Sequence, residues 1–152
     1  MTREVTALQK AVEFLARREH SQHELRNKLS ARGFAEHEID AALQKLIEKD
    51  LQSDERFTEA WISARIQRGH GPYRITAELK QHGVDEHLID RTIRAMDIDW
   101  FDHALSAYRK KYGQSPVSDY QDKAKRSRFL QQRGFTSEQI QHALESVGDA
   151  DT

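Results

Sequence analysis

Arg65-Ile66-Gln67-Arg68-Gly69-His70-Gly71-Pro72 is the stretch whose reading decides the fold. Two glycines within three residues sacrifice helical backbone order, so a helix arriving from the N-terminal side must stop near Gly69. Pro72 then opens a new helix at its first position, where a missing N–H removes a donor that has no intrahelical partner. Working outward, Ser53 is placed to cap the arriving helix, and Asp54 and Glu55 complement the positive end of its dipole. Phe57, Ala60, Trp61 and Ala64 recur at helical spacing, which predicts one buried face. The whole is a sharp helix-to-helix corner flanked by Arg65, Arg68 and Arg74, with Tyr73 beside it.

A second glycine pattern frames the corner. Gly33, Gly83 and Gly134 stand 50 and 51 positions apart. Four residues before each is a leucine (Leu29, Leu79, Leu130), one after is Phe34, Val84 or Phe135, and six after is Ile39, Ile89 or Ile140. Ten after come Leu43, Ile93 and Leu144, preceded by the small or short Ala42, Thr92 and Ala143. Such agreement at one spacing predicts a tandem repeat of three helices, the second ending at a left-handed glycine and the third packing back through Ile and Leu. The predicted fold is all-α, with repeats over residues 1–50, 51–97 and 98–152 stacked into an elongated, curved rod.

Individual elements follow from periodicity and capping. A first helix from about Glu4 to Glu19 presents Leu8, Ala11, Val12 and Leu15. Ser21 to Glu24, Ser118 to Gln121 and Thr136 to Gln139 each fit a capping box, in which the first and fourth residues satisfy orphan N–H groups at a helix start. Asp99 to Gly113 reads as a helix, Gly113 to Val117 as the principal loop, and Asp149 to Thr152 as a fraying end.

Composition excludes several classes. Among 152 residues, 37% are hydrophobic and 32% charged, lean for a compact globule and suited to a high ratio of surface to core. Cysteine is absent, which removes disulfides and thiolate metal sites and fits a reducing cytoplasm. No run approaches the ~20 apolar residues of a membrane span, and the acidic, amphipathic N-terminal stretch is unlike a signal peptide. The chain is read as a soluble cytoplasmic monomer.

No catalytic set, metal site or cofactor is assigned. His23 and His37 are each followed by glutamate, but Asn27 and Ala41 stand where the helical zinc-protease pattern needs a second histidine. Around Gly69-His70-Gly71 no strand precedes, Arg74 replaces the third glycine of a dinucleotide fingerprint, and no Gly-Lys-Ser/Thr follows. Helix-turn-helix DNA reading is disfavoured because the third helices carry Glu36, Glu38, Asp40, Asp85, Glu86, Asp90, Glu138 and Glu145. The aromatics mostly fall in phase with Leu and Ile, as core residues do, with Tyr73 the exception.

The net charge of -1 is unevenly spread. Residues 36–59 hold eight acids against three bases, and residues 101–135 hold eight bases against three acids. Bases gather on the second helices: Arg26, Lys28 and Arg32; Arg74 and Lys80; Lys123, Lys125, Arg126, Arg128 and Arg133. A discontinuous positive stripe of this kind suits an extended anionic partner. Arg65, Arg68, Tyr73 and Arg74 at the corner, with Lys123, Lys125, Arg126 and Arg128, are the expected partner contacts, and Gly33, Gly71, Pro72, Gly83 and Gly134 the structural positions.

These residues resemble the RecX regulators of the recombinase RecA. The likeness is strongest at Leu51 to Phe57, at Arg65, through Arg68-Gly69-His70-Gly71-Pro72, and at Ile75, Glu78-Leu79 and Gly83-Val84. It extends to Ser21 to Leu29, Asp97 to Trp100, Lys111 to Gly113 and Phe129 to Phe135. Arg68 stands where lysine is usual, and Gln52-Ser53 replaces a commoner short residue and aspartate. The resemblance implies three tandem three-helix repeats and a protein that lodges in the groove of the RecA filament on single-stranded DNA. It implies restraint of ATP turnover and strand exchange and favoured filament disassembly, within homologous recombination, DNA repair and the SOS response. The alternative is a helical module that competes for single-stranded DNA directly.

Overall fold

Nine α-helices and no strand make up the described residues, 5–149, of the computed structural model. They are α1 (Ala7–Arg17), α2 (Gln22–Ala31), α3 (Glu36–Glu48), α4 (Asp54–Gln67), α5 (Pro72–Gln81), α6 (Glu86–Met96), α7 (Trp100–Tyr112), α8 (Tyr120–Gln132) and α9 (Ser137–Asp149). The expected start at Glu4 lies outside the described residues, as do residues 150–152 of the expected fraying end. Residue 149 itself is helical.

The three-helix repeat is present, and its stop is the predicted one. Gly33, Gly83 and Gly134 have φ of 87°, 77° and 99°. At each, the N–H of the following residue returns to the leucine carbonyl five residues back (Phe34 to Leu29, Val84 to Leu79, Phe135 to Leu130). The glycine N–H reaches the carbonyl three back, the double closure of a Schellman motif. Leu29, Leu79 and Leu130 are fully buried, so truncating one to alanine costs about 2–5 kcal/mol. Asp50 (φ 58°) closes α3 and Asp97 (φ 50°) closes α6 in the same left-handed conformation, which Asp tolerates better than most residues.

Contacts gather the chain into two compact units, Met1–Ala60 with Leu79–Thr92, and Trp61–Glu78 with Ile93–Thr152. The first has a core of Ala11, Leu25, Leu29, Phe34, Ile39 and Leu46, the second of Ala104, Tyr108, Leu130, Phe135 and Ala143.

Each unit contains one end-to-end joint between helices. In the second, Gly71 N–H donates to the Arg133 carbonyl (2.7 Å) and Tyr73 N–H to the Gly134 carbonyl (2.9 Å), so the start of α5 meets the end of α8. Helix starts leave N–H groups and helix ends leave carbonyls without intrahelical partners, and this joint sets the two against each other. The backbones are so close that a Cβ on Gly71 would lie 2.6 Å from the Gly134 carbonyl carbon, and one on Gly134 2.5 Å from Arg74 Cβ. In the first unit the start of α2 meets the end of α5. The Ser21 hydroxyl donates to the His82 carbonyl (2.7 Å), and a Cβ on Gly83 would collide with His23 Cβ. Ser21 and Gly71 each lie 12 residues before their glycine, so the joint is one design used twice.

Several sequence expectations shift in detail. Val12 is exposed, and α1 buries Ala7, Ala11 and Phe14 instead. On α4 the buried stripe is Phe57, Thr58 and Ile62, with Ala60 and Ala64 exposed and Trp61 half-buried. Ser53 accepts from Arg56 N–H, as a cap should. Thr136 and Gln139 form the complete capping box, whereas Glu24 turns to Arg18 and leaves Ser21 to cap alone. At α8 the cap moves one residue on: Asp119 accepts from Asp122 N–H, and the Asp122 carboxylate accepts from Ser118 N–H. A carboxylate accepts more strongly than a hydroxyl, so Asp119 displaces Ser118.

Gly134→Ala and Gly83→Ala are expected to lower the thermal midpoint by more than about 6 °C, from left-handed strain plus overlap at the joints. Gly113→Ala, at φ 62° with nothing within 4 Å of its Cβ, is expected to lose only about 2–4 °C. Calorimetry of the three variants checks this.

Candidate partner-binding site

All eight residues expected to meet a partner fall in the second unit. Their environments differ. Arg65 is half-buried, its guanidinium 4.2 Å from the centre of the Trp61 ring. Arg68, Arg74, Lys123, Lys125 and Arg128 are exposed and take part in no ion pair with another described residue. Tyr73 is 67% exposed at the start of α5. In the first unit Arg26 pairs with Asp40 at 2.7 Å, Lys80 with Glu86 at 3.3 Å, and Lys28 approaches His20 Nε2 at 2.8 Å, while the exposed Arg32 lies over the Phe14 ring. The cations of the stripe that are exposed and in no ion pair with another described residue therefore gather mainly in the second unit.

Arg126 departs from the expectation of an outward cation. It is 4% exposed and donates to Tyr108 Oη (2.7 Å), the Ser115 carbonyl (2.7 Å), the Pro116 carbonyl (3.1 Å) and the Asp122 carboxylate (3.1 Å). Its guanidinium also lies 4.6 Å from the centre of the Tyr112 ring. Burial works against the charge, but the Tyr108 and Asp122 bonds outweigh it and hold Arg126 above its ordinary pKa. It fastens the 113–118 loop to α7 and α8. The signal was in the glycine alignment: Arg126 stands eight residues before Gly134, where Leu25 and Ile75 stand before Gly33 and Gly83, both fully buried.

The same alignment pairs two buried histidines, His20 and His70, each 13 residues before its glycine. His20 donates from Nδ1 to the Arg18 carbonyl (3.0 Å) and accepts from Lys28 at Nε2, which defines a neutral ring. His70 lies inside the corner with Nδ1 3.9 Å from Glu78 Oε1. Burial lowers the pKa of His70 below 6.5, Arg74, Arg65 and Arg133 add to the effect, and Glu78 opposes it. Burial likewise lowers that of His20.

A cleft of about 790 Å³ opens in the second unit between α8 and α9. Lys123, Ser127 and Gln131 form one wall, Ser137, Gln141 and Glu145 the other. Phe135, Ile140, Leu144 and Val147 form its floor, and Tyr73, Pro116 and Val117 complete the lining. Of the residues expected from sequence, the cleft brings together Tyr73 and Lys123 only. Its floor was legible as core spacing, but which core residues remain reachable depends on packing that periodicity does not specify.

Two outcomes follow. Arg126→Ala is expected to raise amide hydrogen exchange over residues 114–118 by at least about tenfold while α8 remains helical. His20 and His70 are held neutral when folded and protonate near 6.5 when unfolded. Their contribution is present above 6.5 and lost as pH falls through their lower folded values. Urea midpoints measured from pH 7.5 to pH 5.5 should fall, and His20→Gln and His70→Gln should each flatten that fall.

Three family profiles match the chain: "RecX, first three-helix domain" over residues 7–46, the second over 53–93 and the third over 97–144. The regulatory protein RecX of Chromohalobacter salexigens is 40% identical over 143 residues, covering 94% of this chain and 93% of its own. That of Halorhodospira halophila is 35% identical over 141 residues, covering 93% and 88%. The crystal structure of RecX from Lactobacillus salivarius has the same fold, with a TM-score of 0.76 at 18% identity over 93% of this chain and 94% of that one. With repeat, stops and joints in place and all three family domains matched along its length, the chain belongs to the RecX family of regulatory proteins.

Proposed function

We propose that this chain is a non-enzymatic inhibitor of the recombinase RecA. It binds the RecA filament on single-stranded DNA, lodges in the helical groove, and restrains ATP turnover and strand exchange in the cytoplasm. The observation that carries the reading is the set of exposed cations without ion-pair partners among the described residues, Arg68, Arg74, Lys123, Lys125 and Arg128, with Tyr73 exposed among them in sequence. Membership of a family of regulatory proteins supports the same reading. Three tandem repeats, over 1–50, 51–97 and 98–152, would let one monomer engage several protomers of a polymer. Inhibition then works by differential binding: a filament state less able to exchange strands is bound more tightly and its population rises. Arg126 is excluded from the contact set because its donors are committed internally.

A second reading, competition for single-stranded DNA, is favoured by one observation, the exposed Tyr73 ring between Arg68 and Arg74 in sequence, a combination that stacks on bases and pairs with phosphates. Salt titration with DNA alone separates the two. Phosphate contacts give a logarithmic slope of about -0.7 for each cation engaged, and a filament-specific inhibitor binds DNA alone weakly at every salt concentration.

The variant Lys123→Glu, Lys125→Glu, Arg128→Glu is expected to weaken inhibition of filament ATPase by at least about tenfold with an unchanged helical circular dichroism spectrum. Reversal of Arg26, which is paired with Asp40, should change inhibition far less. Undiminished inhibition by the triple variant would remove these residues from the interface.

A further inference from the structure

We propose that the cleft between α8 and α9 is a docking groove for an amphipathic helical segment of a protein partner, with an apolar stripe two turns long and one acidic flank. The floor carries the first part of the argument. Ile140, Leu144 and Val147 follow one another on α9 at spacings of four and three, the ridge against which a facing helix sets its own i, i+4 and i+7 side chains. In the first repeat the matching residues Ile39, Leu43 and Leu46 are all buried; in the third Ile140 and Val147 are buried with only an edge toward the cleft, and Leu144 is half-buried. The third repeat therefore leaves Leu144 reachable at the middle of a ridge whose counterpart in the first repeat is covered.

Dimensions and charge select the occupant. Lys123, Ser127 and Gln131 run along the α8 wall at steps of four, a length of about 12 Å at 1.5 Å per residue. A helix places its i and i+7 anchors about 10.5 Å apart, so two turns fill the groove. Extended-strand addition has no foothold, because there is no sheet edge among the described residues. Lys123 is the cation that lines the cleft, on the α8 wall, so an acidic side chain on that side of the incoming helix meets charge of opposite sign. Glu145 on the facing wall, bound by the Gln141 amide at 2.9 Å, keeps that acidic flank on the α8 side. This inference concerns the chemistry of the bound segment and stands whether or not the recombinase supplies it.

The test uses the full chain, ¹⁵N-labelled, and a capped synthetic peptide of about 14 residues, alanine-based, with leucines at i, i+4 and i+7 and glutamates on one flank. Saturable binding is expected, with amide shifts confined to α8, α9, Tyr73 and Val117. A peptide of the same composition in scrambled order should bind at least about tenfold more weakly, as should the ordered peptide to Leu144→Arg. Because Leu144→Arg alters a half-buried residue, Gln141→Arg, on the exposed rim, provides an obstruction that leaves the core intact and should weaken binding similarly. Lys123→Glu should weaken the glutamate peptide and strengthen one carrying lysines instead. The proposal is overturned by shifts that map elsewhere, by equal binding of the scrambled peptide, or by Gln141→Arg binding like the parent. Absence of saturable binding would also overturn it, as would a single-stranded oligonucleotide shifting the cleft amides where the peptide does not.

Discussion

A helix end is an electrostatic problem before it is a piece of architecture, because its last carbonyls and first N–H groups must find partners outside the helix. In this chain the problem is solved by setting one end against another. The Gly71 and Tyr73 N–H groups donate to the Arg133 and Gly134 carbonyls, so α5 and α8 satisfy one another's ends, and at the other joint the Ser21 hydroxyl that caps α2 donates to the His82 carbonyl at the end of α5. The dipoles meet with opposite partial charges, which adds to the hydrogen bonds. At Gly83 and Gly134 the left-handed glycine that turns the chain into the third helix also sits at the joint, and its lack of a Cβ admits His23 in one case and Arg74 in the other. Core packing on either side follows from helices already held at their tips.

What the residues disclosed and what they withheld divide along physical lines. The repeat, the glycine stops, the caps at Ser53 and Thr136 and the corner at Gly69 to Pro72 were all legible, because each rests on backbone chemistry local in sequence. Why two of those glycines resist any side chain was not, since His23 and Arg74 press on them from a different helix. Arg126 was misread as a surface cation because charge is usually a surface property. The glycine alignment placed it with Leu25 and Ile75, and position within the repeat proved the stronger guide. The buried stripe of α4 was read one face away for a different reason: alanine is equally at home inside and out, so Ala60 and Ala64 carried little information.

Charge in the second unit is sorted by task. One guanidinium is drawn inside, where four acceptors hold a loop that has few apolar residues of its own. Another stacks on Trp61, and a third, Arg133, donates to the Arg68 carbonyl while lying over the Phe129 ring. Arg68, Arg74, Lys123, Lys125 and Arg128 stand in solvent, on helices or at a helix end, and take part in no ion pair with another described residue. Such groups lose little on meeting an anionic surface, since no existing ion pair has to be broken first. An apolar cleft beside this field offers shape where the charges offer attraction, and in protein recognition the two make separate contributions, one to residence time and the other to encounter rate.

The joint at Gly71 and Gly134 is written almost wholly in main-chain atoms, and this bears on ancestry. A contact between side chains obliges both partners to change together, whereas one between amide and carbonyl leaves a lineage free to replace nearly everything around it. Only the two positions that must stay bare are pinned. Descendants of such a fold can wander far in spelling while keeping their shape, and the surviving mark of kinship would be a pair of small residues at a fixed interval.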